Sequence, residues 1–393
     1  MALDAIKIYI HNVKKNQQQV FYNGLRGWIP KKYRENEYLL SYEYNADGVY
    51  VSYKPYIEEG TLSIKFNVAK LITGDNISSV FCFNTHELQE KLQAKLDNVI
   101  NLSKLRHIRF WKVSYFENNI NIIRDTRDIN ALYDFIYTNK RSILPRFNCE
   151  ANHSDGGRTI VFFNANNKRN STIVIKFYYK LNEIQNKIIK NENTLNKSDI
   201  LRNYTDSKLI NIRMGQDILR MEITMYRDKI CERFKPQIQY SSLPIDINKE
   251  QDKKTIQQQI GTFEDVIDYR HQILMIKRVI NMFHLDKCIT TKDKLFEFIN
   301  HNFKNKEQRT TAIAVVNTLN SKDKYHKKKP SPTTINRYKN FILDRGYHYL
   351  YNESEIQPVI IEDIISQLPQ VQQEAIRTYK NSNIYYDAWY CRI

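Results

Sequence analysis

Residues Ser171 to Ile184 read STIVIKFYYKLNEI. Read as a β-strand, this stretch places Ile173, Ile175, Phe177 and Tyr179 on one face and Thr172, Val174, Lys176, Tyr178 and Lys180 on the other. The first face suits a core; the second carries a tyrosine between two lysines. A phenol of ordinary pKa, about 10, is a weak nucleophile at neutral pH, so flanking cations that favour the phenolate and hold an anionic substrate are what phosphoryl transfer needs. Tyr178 is therefore the candidate nucleophile, with Lys180 and Lys176 as its cationic supports. An ordinary solvent-facing strand, where Tyr and Lys are common, is the plain alternative.

The neighbouring segments extend the pattern. Upstream, RTIVFF from Arg158 reads as a strand joined to the first by the basic turn Ala165 to Asn170, which contains Lys168 and Arg169. Downstream, LRMEITMYR alternates cleanly, with Leu219, Met221, Ile223 and Met225 inward and Arg220, Glu222, Thr224 and Tyr226 outward. If both strands share a sheet, their polar faces meet one substrate.

The earlier part of the chain also reads as strands: IKIYIHNV, then EYLLSYEYN and GVYVSYKPY joined across Ala46-Asp47-Gly48, a strong hairpin signal, then TLSIKFNVAKLI. Between the first strand and the hairpin lies GLRGWIPKKYR, a basic loop with Lys31 and Lys32. Helical spacing of Leu88, Leu92, Leu96 and Ile100 predicts a helix from Thr85; HIRFWKVSYFENNINI reads as a strand, and a helix follows from Asp128. The fold class implied is α+β, a largely antiparallel sheet domain over 1–236, followed after a linker at 237–258 by an all-helical segment at 259–393. Near its end, Ser331 as N-cap, Pro332 at the first helical position and Gly346 as C-terminal cap bound a helix with Ile335, Tyr338 and Ile342 inward. Preceded by Lys327, Lys328 and Lys329 and carrying Arg337, it is compatible with a helix-turn-helix in a major groove, or with a capped surface helix beside a lysine-rich loop.

Composition narrows the function class. The 393 residues carry 60 Lys and Arg against 43 Asp and Glu, a net charge of +17, which favours an anionic partner such as nucleic acid. No apolar run reaches the ~18 to 20 residues of a spanning helix and no signal peptide opens the chain, so a cytoplasmic location without membrane association is expected. The five cysteines have no Cys-x-x-Cys spacing and suggest neither disulfides nor structural zinc.

Taken in order, several blocks resemble the phage and plasmid replication proteins of the II/X type, a family that includes the gene II protein of filamentous phages and is related more distantly to rolling-circle initiators. The blocks are AIKIYI after Asp4; TLSIKFNVAKLITGDNI from Thr61, where Asn67 and Val68 replace the family's Ser and Pro; Thr159 to Asn164; Tyr178, Lys180 and Glu183; and Arg220 with Glu222. The resemblance implies an HUH/Rep-like nuclease fold and strand nicking at an origin by tyrosine attack, leaving a 5′-phosphotyrosyl link and a free 3′-hydroxyl, with later rejoining.

It also implies a divalent cofactor, Mg²⁺ or Mn²⁺. Glu117 stands where the family has an acidic residue, Glu222 is the second candidate ligand and His107 the third, although the paired His-hydrophobic-His of classical HUH nucleases is absent. Arg158, Lys168, Arg169, Arg220, Lys327, Lys328, Lys329 and Arg337 are the expected DNA contacts. The expected partners are single- and double-stranded origin DNA and the replication helicase and polymerase of a bacterial host; a homodimer is left open. The rivals are a non-catalytic DNA-binding replication or regulatory protein and a membrane-surface protein. A tyrosine recombinase is disfavoured because no histidine has arginine at the third following position.

Overall fold

The computed structural model describes residues 2–14, 17, 29–32, 39–46, 48–55, 59–73, 79–82, 85–154, 157–179, 216–233, 261–267, 269–321, 329–360 and 384–387. In chain order the elements are β1 (Ala2–Lys14), β2 (Ile29–Lys32), β3 (Leu39–Ala46), β4 (Val49–Pro55), β5 (Glu59–Asn67), α1 (Val68–Thr73), β6 (Ser79–Cys82), α2 (Thr85–Val99), β7 (Lys112–Asp125), α3 (Thr126–Ile143), β8 (Asn148–Ser154), β9 (Gly157–Phe163), β10 (Ile173–Tyr179) and β11 (Gln216–Tyr226). Helices α4 (Arg227–Arg233), α5 (Phe263–Ile267), α6 (Tyr269–Met282), α7 (Lys292–Asn302), α8 (Lys306–Asn320) and α9 (Pro332–Asp344) follow, then β12 (Ile384–Asp387).

Ten strands form one sheet in the order β2-β3-β4-β5-β1-β7-β11-β10-β9-β8, and every pairing is antiparallel. Strands β6 and β12 make a separate two-stranded ribbon. The α+β reading, a sheet followed by helices, is what the structure shows, but the segment expected to be all helical is only mostly so, because β12 within it pairs with β6. At the Asp-Gly signal, Ala46 pairs with Val49 and Gly48 has φ +77°, a left-handed conformation open to glycine at little steric cost.

Three boundaries differ from the sequence pattern. TLSIKFNVAKLI is not one strand: β5 stops at Asn67, whose side-chain amide is tied to Asp4, and the following residues, rich in good helix formers, turn into α1. Ile108–Phe110 is a 3₁₀ turn capped by His107, whose ring accepts from Arg109 N, so β7 begins only at Lys112. Helix α3 starts at Thr126 rather than Asp128, because the Asp125 carboxylate caps Asp128 N at 2.9 Å.

The apolar alternation sets the layers. Ile6, Ile8, Phe116, Ile120, Ile175, Phe177, Tyr179, Leu219, Met221 and Ile223 occupy one sheet face and are buried. Leu88, Leu92 and Leu96 of α2 and Ile129, Leu132, Tyr133 and Ile136 of α3 belong to the same buried cluster. The helices after Gly261 join it as well. Phe283, just past α6, meets Phe162 and Phe177 edge-on at 4.9 and 5.1 Å between ring centroids, and Phe263 N donates to Trp111 O at 2.8 Å. The Arg124 guanidinium donates to the carbonyls of Gln357 and Pro358. The core therefore runs continuously from the sheet into the helical segment; the expected linker, 237–258, lies outside the described residues.

Helix α9 keeps its expected limits. Ser331 Oγ accepts from Thr334 N at 3.2 Å, Tyr338 and Ile342 are buried, and Gly346, at φ +85°, donates to Leu343 O at 3.0 Å. Arg337 and Lys329 are exposed, while Lys327 and Lys328 lie outside the described residues. Among the described residues no helix is long and apolar enough to cross a membrane.

Because Phe283 fills the junction between sheet and helices, Phe283→Ala should destabilise the protein by about 3–5 kcal/mol. Urea unfolding followed by far-UV circular dichroism and by tyrosine fluorescence should show both signals shifting together. A shift in one alone would mean that the two segments unfold separately.

Candidate active site on the polar face of the sheet

The face opposite the core is polar, and its residues line up in rows set by the strand registers. Lys176 pairs with Glu222, which pairs with Asn119; Tyr178 pairs with Arg220, which pairs with Asn121; Thr224 pairs with Glu117. Directly opposed residues on neighbouring strands share a face. Lys176, Tyr178, Arg220, Glu222, Glu117, Asn119 and Asn121 are therefore neighbours on one surface, drawn from three strands.

The contacts are specific. The Tyr178 hydroxyl donates to Glu222 Oε1, and Lys176 Nζ lies 3.4 Å from Glu222 Oε2 and 3.9 Å from the centre of the Tyr178 ring. A phenol, a carboxylate and an ammonium thus form one hydrogen-bonded and cation–π cluster. Tyr178 is 5% exposed, so this hydroxyl is held rather than rotating in solvent.

Tyr179 is on the other side, as alternation requires. Its hydroxyl donates to Asn130 Oδ1 at 2.6 Å, and its ring lies 5.0 Å from that of Tyr133 on α3. Arg158, expected among the DNA contacts, sits on this helical side: it donates to Asn130 at 3.3 Å and lies 5.6 Å from the Tyr179 ring. Thr159, not Arg158, pairs with Tyr178.

Arg220 departs furthest from its expected role. It shares the face of Tyr178, but it is 0% exposed; its Nε donates to Asn121 Oδ1 at 2.8 Å and its Nη1 is 3.6 Å from Asp4 Oδ2. An enclosed guanidinium satisfied by an amide and a carboxylate has no open surface for a phosphate, so it acts on the sheet itself. Asp4 reaches it through a bulge: β1 shifts register between Leu3 and Ile6 against β7, and two residues stand where one would. The sequence pattern does not single out Asp4; the strand order that brings β1 beside β7 is the missing information.

The expected metal ligands are not all together. Glu117 and Glu222 are diagonal neighbours on β7 and β11. Burial and the nearby carboxylates of Glu222 and Asp4 push the Glu117 carboxyl up to about 7, against the weaker opposing pull of Lys65 and Lys176. His107 is elsewhere: its Nε2 is 3.2 Å from Glu90 on α2, and it does not figure among the groups acting on Glu117. Among the described residues no three His, Cys, Asp or Glu side chains gather closely enough to hold an ion alone. Mg²⁺ is commonly bound by one or two carboxylates together with substrate phosphate and water, and two mutually repelling carboxylates fit that mode.

Lys168 and Arg169 are exposed in the turn between β9 and β10, at the end of β10 away from Tyr178. Lys180 lies outside the described residues.

A carboxyl whose folded pKa is raised adds stability below its unfolded pKa, about 4.5, and that contribution is lost as pH rises through about 7. The stability of Glu117→Gln relative to the unsubstituted protein should therefore climb between pH 4.5 and 8, by on the order of 3 kcal/mol. Millimolar Mg²⁺ or Mn²⁺ should recover part of the deficit of the unsubstituted protein at pH 8. Thermal melts over this range check it; parallel pH profiles without metal response would contradict the carboxylate pairing.

The comparisons with known proteins bear on this surface. A family model described as the N-terminal part of the phage gene II replication-associated protein matches residues 42–249, which include β7, β10, β11 and every residue of the Tyr178 cluster. Neither a curated protein nor a solved structure matches the chain. As the matched segment is more than half of the sequence, the chain belongs to the family of gene II-type replication-associated proteins.

Proposed function

We propose that this protein initiates rolling-circle DNA replication by nicking one strand at an origin, with Tyr178 as nucleophile. The observation that carries the reading is the hydrogen bond from the Tyr178 hydroxyl to Glu222, with Lys176 beside both groups. A carboxylate at that position can take the phenol proton as the tyrosine oxygen attacks phosphorus. The bond formed is Tyr178 Oη to phosphorus; the bond broken joins phosphorus to the 3′-oxygen, which leaves and is protonated by water. The products are a 5′-phosphotyrosyl link and a free 3′-hydroxyl from which a polymerase can extend. Rejoining is the reverse attack by a 3′-hydroxyl.

Lys176 balances negative charge on the phenolate and the phosphate. Lys180 is assigned the same task by its place two residues after Tyr178 in the sequence. Glu117 and Glu222 would hold the divalent cation, Mg²⁺ or Mn²⁺, which polarises a non-bridging phosphate oxygen when bound. Asn121, bonded to Arg220, keeps the strand that carries Glu222 in position. The family supports a role in replication, and +17 net charge supports DNA as the substrate. Origin DNA, the host helicase and polymerase are the partners this reading requires.

The test is incubation with supercoiled and single-stranded origin DNA plus Mg²⁺ or Mn²⁺, then denaturing electrophoresis. A protein band shifted by covalent DNA is expected for the unsubstituted chain and for Tyr179→Phe, which loses the hydroxyl's bond to Asn130, worth about 1 kcal/mol. Tyr178→Phe should form none. Glu222→Gln and Glu117→Gln should lose nicking by about 100-fold or more while still binding DNA without metal, by the usual weight of general-base and metal contributions, roughly 10²–10⁴-fold. No adduct from the unsubstituted protein would favour the non-catalytic DNA-binding alternative.

A further inference from the structure

The same sheet face carries a second feature, at the C-terminal end of β11. Tyr50 on β4 pairs with Lys65 on β5, Lys65 with Lys7 on β1, Lys7 with Tyr115 on β7, and Tyr115 with Tyr226 on β11. This is one row of directly opposed side chains across five consecutive strands: Tyr, Lys, Lys, Tyr, Tyr. Tyr226 N then donates to Thr172 O at 3.0 Å, which places the row beside the turn bearing Lys168 and Arg169.

The row is accessible where it matters. Tyr226 is 37% exposed, unusual for a large aromatic side chain among the described residues, and Lys65, Lys168 and Arg169 are exposed. The Tyr115 and Tyr226 rings lie 6.0 Å apart and tilted, and Lys65 Nζ is 5.6 Å from the Tyr115 ring centre. Lys54, two strands from Lys7 and exposed, adds to the charge. Burial first, and then the charges of Lys54 and Lys65, depress the Lys7 ammonium, with Glu43 opposing them.

Aromatic faces alternating with cations on an open sheet are a stacking platform with an electrostatic rail. Every base has a π-face to stack, and every phosphate a charge to balance, so such a surface suits single-stranded nucleic acid without strong sequence preference. Duplex DNA would hide its base faces from the tyrosines. Five strands at ~4.8 Å spacing give about 19 Å of track, enough for several nucleotides.

We propose that the Tyr50–Lys65–Lys7–Tyr115–Tyr226 row, continued by Lys168 and Arg169, binds the single-stranded DNA that leads to or from Tyr178. The proposal rests on the reading of a DNA-strand substrate given above and adds where that strand lies. Tyr226 stacks a base, and Lys65, with Lys168 and Arg169 at the far end, contacts phosphates. The row and the Tyr178 cluster share one face, and along β11 Tyr226 stands six positions beyond Arg220.

The test is fluorescence anisotropy of a labelled twelve-nucleotide oligothymidylate with the full chain, without divalent metal so that cleavage plays no part. Tyr226→Ala and Lys65→Glu should each weaken binding about 10-fold, and Tyr226→Phe, which keeps the ring, should bind within about twofold of the unsubstituted protein. Lys65→Glu should also lower the slope of log affinity against log salt by about 0.7 or more. Lys95→Glu, the same charge change on an exposed lysine of α2, should have at most about a twofold effect. Binding by Tyr226→Ala and Lys65→Glu equal to that of Lys95→Glu would overturn the proposal, as would an equal loss in Tyr226→Phe and Tyr226→Ala. These outcomes are independent of covalent adduct formation at Tyr178, so the failure of either reading leaves the other measurable.

Discussion

Arg220, with no exposed surface, sits in the middle of a ten-stranded sheet, and the positions of the functional groups follow from how its charge is accommodated. A buried guanidinium is tolerated only when its donors meet acceptors held in place, and here those are Asn121 from β7 and Asp4 from β1. Satisfying both ties three strands into one register and draws the bulged start of β1 towards β11. With β11 so fixed, Glu222 two residues on lands opposite Lys176, and Tyr178 opposite Arg220 itself. The arginine thus organises this surface from a fully buried position.

The second constraint is the surplus of carboxylates beside that arginine. Asp4 is held by Arg220 and Asn67, and Glu222 by Tyr178 and Lys176, whereas Glu117, half-buried beside both, has its pKa raised by burial first and by their charge second. Such frustration is a local cost that a cation or a proton relieves, and sites of chemistry are where proteins keep it. The opposite face is built differently: Phe162, Phe177 and Phe283 pack edge to face, and Tyr179 meets Tyr133 and Asn130. One face of β10 packs in the core and the other carries Lys176 and Tyr178, the residues proposed for chemistry, and the period-two alternation of a strand is what separates them.

Much of this was legible in the sequence. The alternation in IVIKFYY assigned Tyr178 and Tyr179 to opposite faces, and LRMEITMYR placed Glu222 on the side where it meets Tyr178, because both patterns depend only on neighbours along one strand. What depends on strand order was not legible. The burial of Arg220, the arrival of Asp4 and the row from Tyr50 to Tyr226 need the registers of four or five strands at once, and polar residues on a face do not reveal whether that face is open. His107 shows the same limit differently: it is near β7 in sequence, but the 3₁₀ turn before that strand directs it to Glu90 among the helices. The continuity of the core past Gly261 was likewise hidden, since a change of periodicity marks a change of element and not the end of a packing unit.

The central claim is that Tyr178, held by Glu222 on the polar face, is the residue that becomes joined to DNA. Proteolysis of the protein after reaction with an origin oligonucleotide, followed by mass spectrometry of the nucleotide-bearing peptide, tests it most directly. The account predicts a phosphodiester adduct on Tyr178 alone. An adduct on Tyr179, which faces the core, would contradict the assignment of faces, and the absence of any tyrosyl adduct under nicking conditions would contradict the chemistry.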